Sequence, residues 1–142
     1  MSGIDLADSV VYGHLWATEE TRELLGDEGR TRAWIRIVAT LASVQGELGI
    51  IPAEAVTELE RMETVDLEAV GEQTRATGHS TLGLIRVLRR PLGAEAAEWI
   101  YYGATVQDVT DTWFGLVMQR MLTPELYPDD VFHAAFAALA KK

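Results

Sequence analysis

Cysteine is absent from the 142 residues, which excludes disulfides and every thiolate metal site. Histidine is scarce: His14, His79 and His133 lie far apart, and no two have the spacing of metal ligands. No metal or cofactor is therefore expected. Positive charge is short as well, with 12 Lys and Arg against 22 Asp and Glu and a formal net charge of −10. Such a surface repels phosphate backbones, so no nucleic acid is expected as a partner. No apolar run approaches the ~20 residues that cross a bilayer, so no membrane is expected. The start, MSGIDLADSVV, has neither a basic segment nor an apolar core and does not read as a secretory signal. The default expectation is a cytoplasmic protein. Repeats, low-complexity linkers and alternating apolar-polar runs are all missing, which leaves a single all-α domain over 1–142.

What is present is helical almost throughout. Thr18 reads as an N-cap, with Glu19 and Glu20 in the first turn where the helix dipole favours acids. From Asp27 to Leu48 the apolar residues Trp34, Ile37, Val38, Leu41, Val44 and Leu48 step by three and four, which predicts one buried face. Gly49 sits where a C-terminal glycine belongs, and Pro52 reads as a first-turn proline for PAEAVTELERM. VDLEAVGEQTRA predicts the next helix. STLGLIRVLRR follows Gly78 and His79, with Ser80 as its expected cap and Arg86, Arg89 and Arg90 at its C-terminal end. AEAAEWIYY reads as a short helical run. Between Thr105 and Leu122, the residues Val106, Val109, Trp113, Leu116, Val117 and Met121 again keep helical spacing. Trp34, Trp99, Trp113 and Phe114 are expected in the core or at a helix-bundle interface. A last amphipathic helix is expected over about 128–141, carrying His133, which reads as surface or packing; His14 reads as structural.

One stretch stands apart. IYYGATVQDVTDT, residues 100–112, gathers two tyrosines, a glycine, three threonines, a glutamine and two aspartates. Thr105 and Asp108 are spaced as a capping box, and Gly103 permits a tight turn before the helix. That structural reading leaves Tyr101, Tyr102, Gln107, Thr110 and Asp111 without a role. A helix start also exposes free N–H groups, and hydroxyls at Thr105 and Tyr101 with the Gln107 amide could complete an anion site there. Both readings stay open on the residues alone.

GATVQDVTDT resembles the G-A-T-S-Q-D-x-x-D-T motif of the fumarase/aspartase superfamily, in the branch of adenylosuccinate lyase and 3-carboxy-cis,cis-muconate cycloisomerase. TGHSTLGLIRVLRRPLG resembles the branch's T-x-H-D or G-N/H-P segment followed by its helix, and AWIRIVATLASVQGELGIIPAEAV its early helix ending in an E-L-G-x-I-P turn. The three occur in family order over roughly residues 9–123. The resemblance implies the N-terminal helical region and the start of a central long-helix bundle. It further implies a homo-oligomer, a tetramer in the family, that cleaves C–N or C–O bonds of small polycarboxylates by β-elimination or runs a related cycloisomerisation. On this resemblance His79 matches a histidine beside the substrate and is the catalytic candidate. Thr105 and Gln107 match contacts to a substrate carboxylate, and Tyr101 and Ser80 are further candidates for substrate binding. Asp108 and Asp111 are expected to support the motif's fold.

Several positions depart from the pattern. Val106 replaces a serine, and Tyr101 replaces a histidine; a phenol titrates near pH ~10 and is a poorer acid at neutrality. Gly78 and Ser80 stand where adenylosuccinate lyases carry Arg and Asp, which speaks against an AMP-bearing substrate and toward the cycloisomerase-like or an unassigned subgroup. The family's T-H pair and its serine-bearing G-S-S-x-M-P-x-K-x-N-P loop do not occur, and TPELYPDDVFHAAFAALAKK does not continue the pattern. No catalysis is expected from this chain alone. The rival expectations are a non-catalytic helical module for self-association or association with a full-length lyase, and a binding protein for small carboxylates.

Overall fold

A computed structural model describes residues 6–122, and these form seven α-helices preceded by two short 3-10 turns, with no strand among the described residues. The helices are α1 (Glu19–Leu25), α2 (Asp27–Glu47), α3 (Ala53–Leu59), α4 (Leu67–Thr77), α5 (Ser80–Arg89), α6 (Ala94–Trp99) and α7 (Val106–Met121). The expected all-α architecture is what the chain adopts. The helix expected over 128–141, with His133, lies outside the described residues.

The caps follow local chemistry. The Thr18 hydroxyl accepts from Thr21 N–H at the start of α1, and the Asp66 carboxylate accepts from Glu68 and Ala69 at the start of α4. Gly49, at φ +67°, ends the α2 region in the left-handed conformation expected there. Pro52 is the N-cap residue of α3, one place before the first turn predicted for it. The α6 helix stops at Trp99, short of the predicted YY, because Ile100 turns extended and Tyr101 adopts φ +65°.

The core joins Trp34, Ile35, Val38 and Ala42 of α2 to Leu59 of α3, Leu84, Ile85 and Leu88 of α5, Ile100, and Val109 of α7. Each buried Leu or Ile contributes roughly 1.5–3 kcal/mol over its exposed state. The predicted face of α2 needs correction. Ile35 and Ala42 are buried, whereas Val44 is 46% and Leu48 69% exposed. The other helices cover α2 mainly on its Trp34, Ile35, Val38 and Ala42 side, so its last turn keeps apolar side chains in solvent.

Two side chains fasten distant segments. The Glu58 carboxylate of α3 accepts from Gly93 N–H at 2.8 Å, just before α6. The Gln45 amide of α2 donates to the Tyr102 carbonyl at 2.9 Å, in the turn before α7. The closest helix pairing is α4 against α5, where a Cβ on Gly83 would stand 2.7 Å from Thr74 N and 2.9 Å from its Cα.

Candidate functional site

The start of α7 is built by a turn that only special backbone conformations allow. Tyr101 at φ +65° and Gly103 at φ +71° are both left-handed; Tyr101 is the one non-glycine residue with positive φ among those described. A tyrosine held there is strained, which is a common property of functional turns. Thr105 then caps α7, and the capping box read from the sequence is present. The Thr105 N–H donates to Asp108 Oδ2 at 2.7 Å, and the Thr105 hydroxyl donates to the same oxygen at 3.0 Å. These bonds, backbone first and then side chain, lower the Asp108 pKa against a small opposing desolvation. Burial, with the nearby charge of Asp108 second, raises the Tyr101 pKa, so the phenol remains a protonated donor at neutrality.

Gln107 lies one turn in. Its Nε2 donates to Asp111 Oδ1 at 2.6 Å. The two candidate carboxylate contacts, Thr105 and Gln107, thus each serve an aspartate of their own helix. The Gln107 amide retains a second N–H. Thr110 donates to the Val106 carbonyl at 3.0 Å, a bond within the helix.

The second group lies at the start of α5. Here the sequence expectation is corrected: His79, not Ser80, is the N-cap. The His79 Nδ1 accepts from Leu82 N–H at 3.2 Å, while Ser80 is the first helical residue and is exposed. An imidazole nitrogen serves as well as a hydroxyl oxygen once extended backbone at His79 brings it over the third amide. His79 itself is exposed.

The structure does not bring the two groups into one cleft. A groove of about 770 Å³ between α2 and α7 is lined by Ala104, Asp108, Thr112 and Trp113 among others, and a smaller one of about 370 Å³ by Ser80, Thr74, Arg75 and Trp34. Neither is lined by residues of both groups. Among the described residues no cluster of His, Asp or Glu could hold a metal ion, and no helix is long and apolar enough to cross a membrane. The aromatics expected in the core or at a bundle interface take different positions. Trp34 is buried and meets Trp113 edge-on at 6.3 Å, and Trp99 is half-buried, but Phe114 is exposed. Exposed His14 packs in no core. Gln45, whose bond to Tyr102 fixes the turn, gives no signal in the sequence without knowing which turn it faces. Thr77, which holds the His79 backbone, opens the TGHS segment but is not among the residues expected to act there.

Comparison with known proteins places this all-α chain and its three motifs. The chain is 33% identical over 142 residues to the N-acetyl-S-(2-succino)cysteine lyase of Enterococcus italicus, covering 98% of this chain and 31% of that protein. It is 36% identical over 111 residues to the adenylosuccinate lyase of Methanothermobacter thermautotrophicus, covering 76% and 25%. It is 35% identical over 124 residues to the 3-carboxy-cis,cis-muconate cycloisomerase of Pseudomonas aeruginosa, covering 83% and 27%. The crystal structure of a fumarate lyase from Mesorhizobium sp. BNC1 superposes with a TM-score of 0.64 at 28% identity, over 73% of this chain and 25% of that one. No family model matches the chain. The chain belongs to the fumarase/aspartase superfamily. It spans between a quarter and a third of the length of these relatives.

Proposed function

We propose that this chain is the N-terminal part of a superfamily lyase acting on a small polycarboxylate, by β-elimination with C–N or C–O cleavage or by cycloisomerisation. The observation that carries the reading is the turn Tyr101–Thr105 feeding the start of α7, with Gln107 one turn beyond, in a chain that also presents His79 on an exposed helix cap. In such a reaction a base removes the proton beside a carboxylate, and charge builds on that carboxylate as the carbanion forms. Groups that hold the carboxylate therefore act on the rate. In this reading Gln107 offers its second N–H, Tyr101 its protonated phenol, and Thr105 its oxygen. Ser80 lies beside His79 as a further polar contact, and His79 touches the substrate. The base and the serine loop come from segments that this sequence does not contain, so the chain is inactive alone. The working form is a cytoplasmic homo-oligomer.

A second reading is favoured by one observation. Phe114, Leu116, Met118 and Leu122 of the α7 region are exposed, as expected for a helix left partly uncovered. Exposed apolar faces of this kind favour association, so the chain could serve as a non-catalytic module that joins a lyase bundle.

The test is an elimination assay with succinylated amines, whose C–N bond breaks as fumarate leaves, following fumarate release. The chain is assayed alone and after co-expression with a lyase fragment bearing the T-H pair and the serine loop. Turnover only in the mixture, abolished by His79→Ala, supports the lyase reading. Co-assembly without turnover favours the module.

A further inference from the structure

We infer that Thr77 is the positioning residue of His79, and that it holds the imidazole with Nδ1 as acceptor and Nε2 as donor. The inference concerns the site proposed above and rests on that reading for the ligand, a carboxylate, but not for the state of the ring.

Two residues, Gly78 and His79, join α4 to α5. Thr77 is the last residue of α4 and is half-buried. Its hydroxyl lies 2.8 Å from the Gln73 carbonyl and 3.1 Å from the His79 carbonyl, and its oxygen accepts from His79 N–H at 3.3 Å. One side chain thus binds the final turn of α4 and the backbone of the next helix's cap. Gly78 between them takes φ +65° and donates its N–H to the Thr74 carbonyl at 2.9 Å. With both neighbours pinned, His79 stays extended and its ring reaches over the first turn of α5.

The consequence is chemical. Nδ1 accepts the Leu82 N–H at 3.2 Å, so it carries no proton while the cap exists. The single proton of the neutral ring is then on Nε2. Held this way, His79 presents an N–H donor and no free lone pair. It suits an anionic oxygen, such as that of a carboxylate, and it does not suit abstraction of a proton from carbon, which is left to a group elsewhere in the whole enzyme. Thr77 acts only through the ring it places.

The experiment is nitrogen-15 NMR of the histidine-labelled chain at neutral pH, with the His79 signals assigned by their loss in His79→Asn. The expected result for wild type is a pair of widely separated ring nitrogen shifts, with the proton on Nε2. Thr77→Ser should keep that separation. Thr77→Val should narrow it and speed exchange of the Leu82 amide by about fivefold, the order of an N-cap contribution, while the His14 signals stay put. An averaged ring or an Nδ1–H ring in wild type overturns the inference, as does an unchanged ring in Thr77→Val. Should Thr77→Val fail to fold, the wild-type and Thr77→Ser spectra still decide, since an averaged ring in either overturns it. No ligand is needed. A failed elimination assay therefore leaves this result standing, and an averaged ring leaves the lyase reading untouched.

Discussion

Gln45, near the end of α2, donates its side-chain amide to the Tyr102 carbonyl 57 residues further on, at 2.9 Å. That bond sits beside the strained Tyr101 and the left-handed Gly103, so it holds the turn from which α7 starts. Gln45→Ala should lower unfolding free energy by about 1 kcal/mol, the net worth of a typical hydrogen bond. Urea titration checks the size. Loss of the α7 start would appear as faster amide exchange at Val106 to Asp108, and unchanged exchange there would contradict this role for Gln45.

Gly83 and Gly115 form an internal control on helical glycine. A methyl on Gly83 meets the backbone of Thr74, whereas one on Gly115 meets nothing within 4 Å. Gly83→Ala should destabilise by roughly 1–3 kcal/mol through overpacking of α4 on α5. Gly115→Ala should stabilise by up to about 1 kcal/mol, from helix propensity alone. Thermal melts of the two variants should shift in opposite directions.

Asp108 makes acid stability testable. Its pKa is lowered in the folded chain by the Thr105 backbone and hydroxyl bonds. A depressed carboxylate contributes stability above its unfolded pKa of about 3.9, and that contribution is lost as pH falls through the lower, folded value. Asp108→Asn should therefore be less stable than wild type at pH 7, with the gap closing below about pH 4. A gap that stays constant across a pH series of denaturation curves would count against the Thr105 bonds as its source.

The uncovered side of α7 predicts association. Phe114→Glu with Met118→Glu places two charges one turn apart on the same face, where both side chains are already exposed. Folding stability should change by no more than about 0.5 kcal/mol each. Sedimentation should show a smaller assembly than wild type. If mass is unchanged, the exposed residues are not the contact.

Much of this could be read from residues alone, and the rest fails for identifiable reasons. Thr18, Gly49 and the Thr105–Asp108 box act within a few residues of themselves, so their chemistry is visible in the string. The buried face of α2 was legible only in part, because periodicity marks apolar side chains without saying which of them another helix covers. Val44 and Leu48 carry the pattern and stay exposed, while Ala42 is too small to mark the stripe and is buried. Ser80 looked like the cap because serine usually is one; the extended backbone at His79, set by Thr77 and Gly78, moved that duty one residue back. The candidate site was legible as two motifs. Their separation in the fold was not, since no spacing rule links segments packed on different helices.

The α4–α5 pair has a consequence for the order in which the chain becomes structured. It is the most extensive helix–helix contact described, and it closes through a connection of two residues. Local contacts of that kind form early, because little loop entropy opposes them. The pairing of α2 with α7 spans far more chain and must come later. On a ribosome the hairpin is complete soon after Arg89 emerges, before Tyr101 has left the tunnel. His79 and Ser80 therefore lie at the apex of this hairpin, which by this argument becomes structured before the segment that carries Tyr101, Thr105 and Gln107.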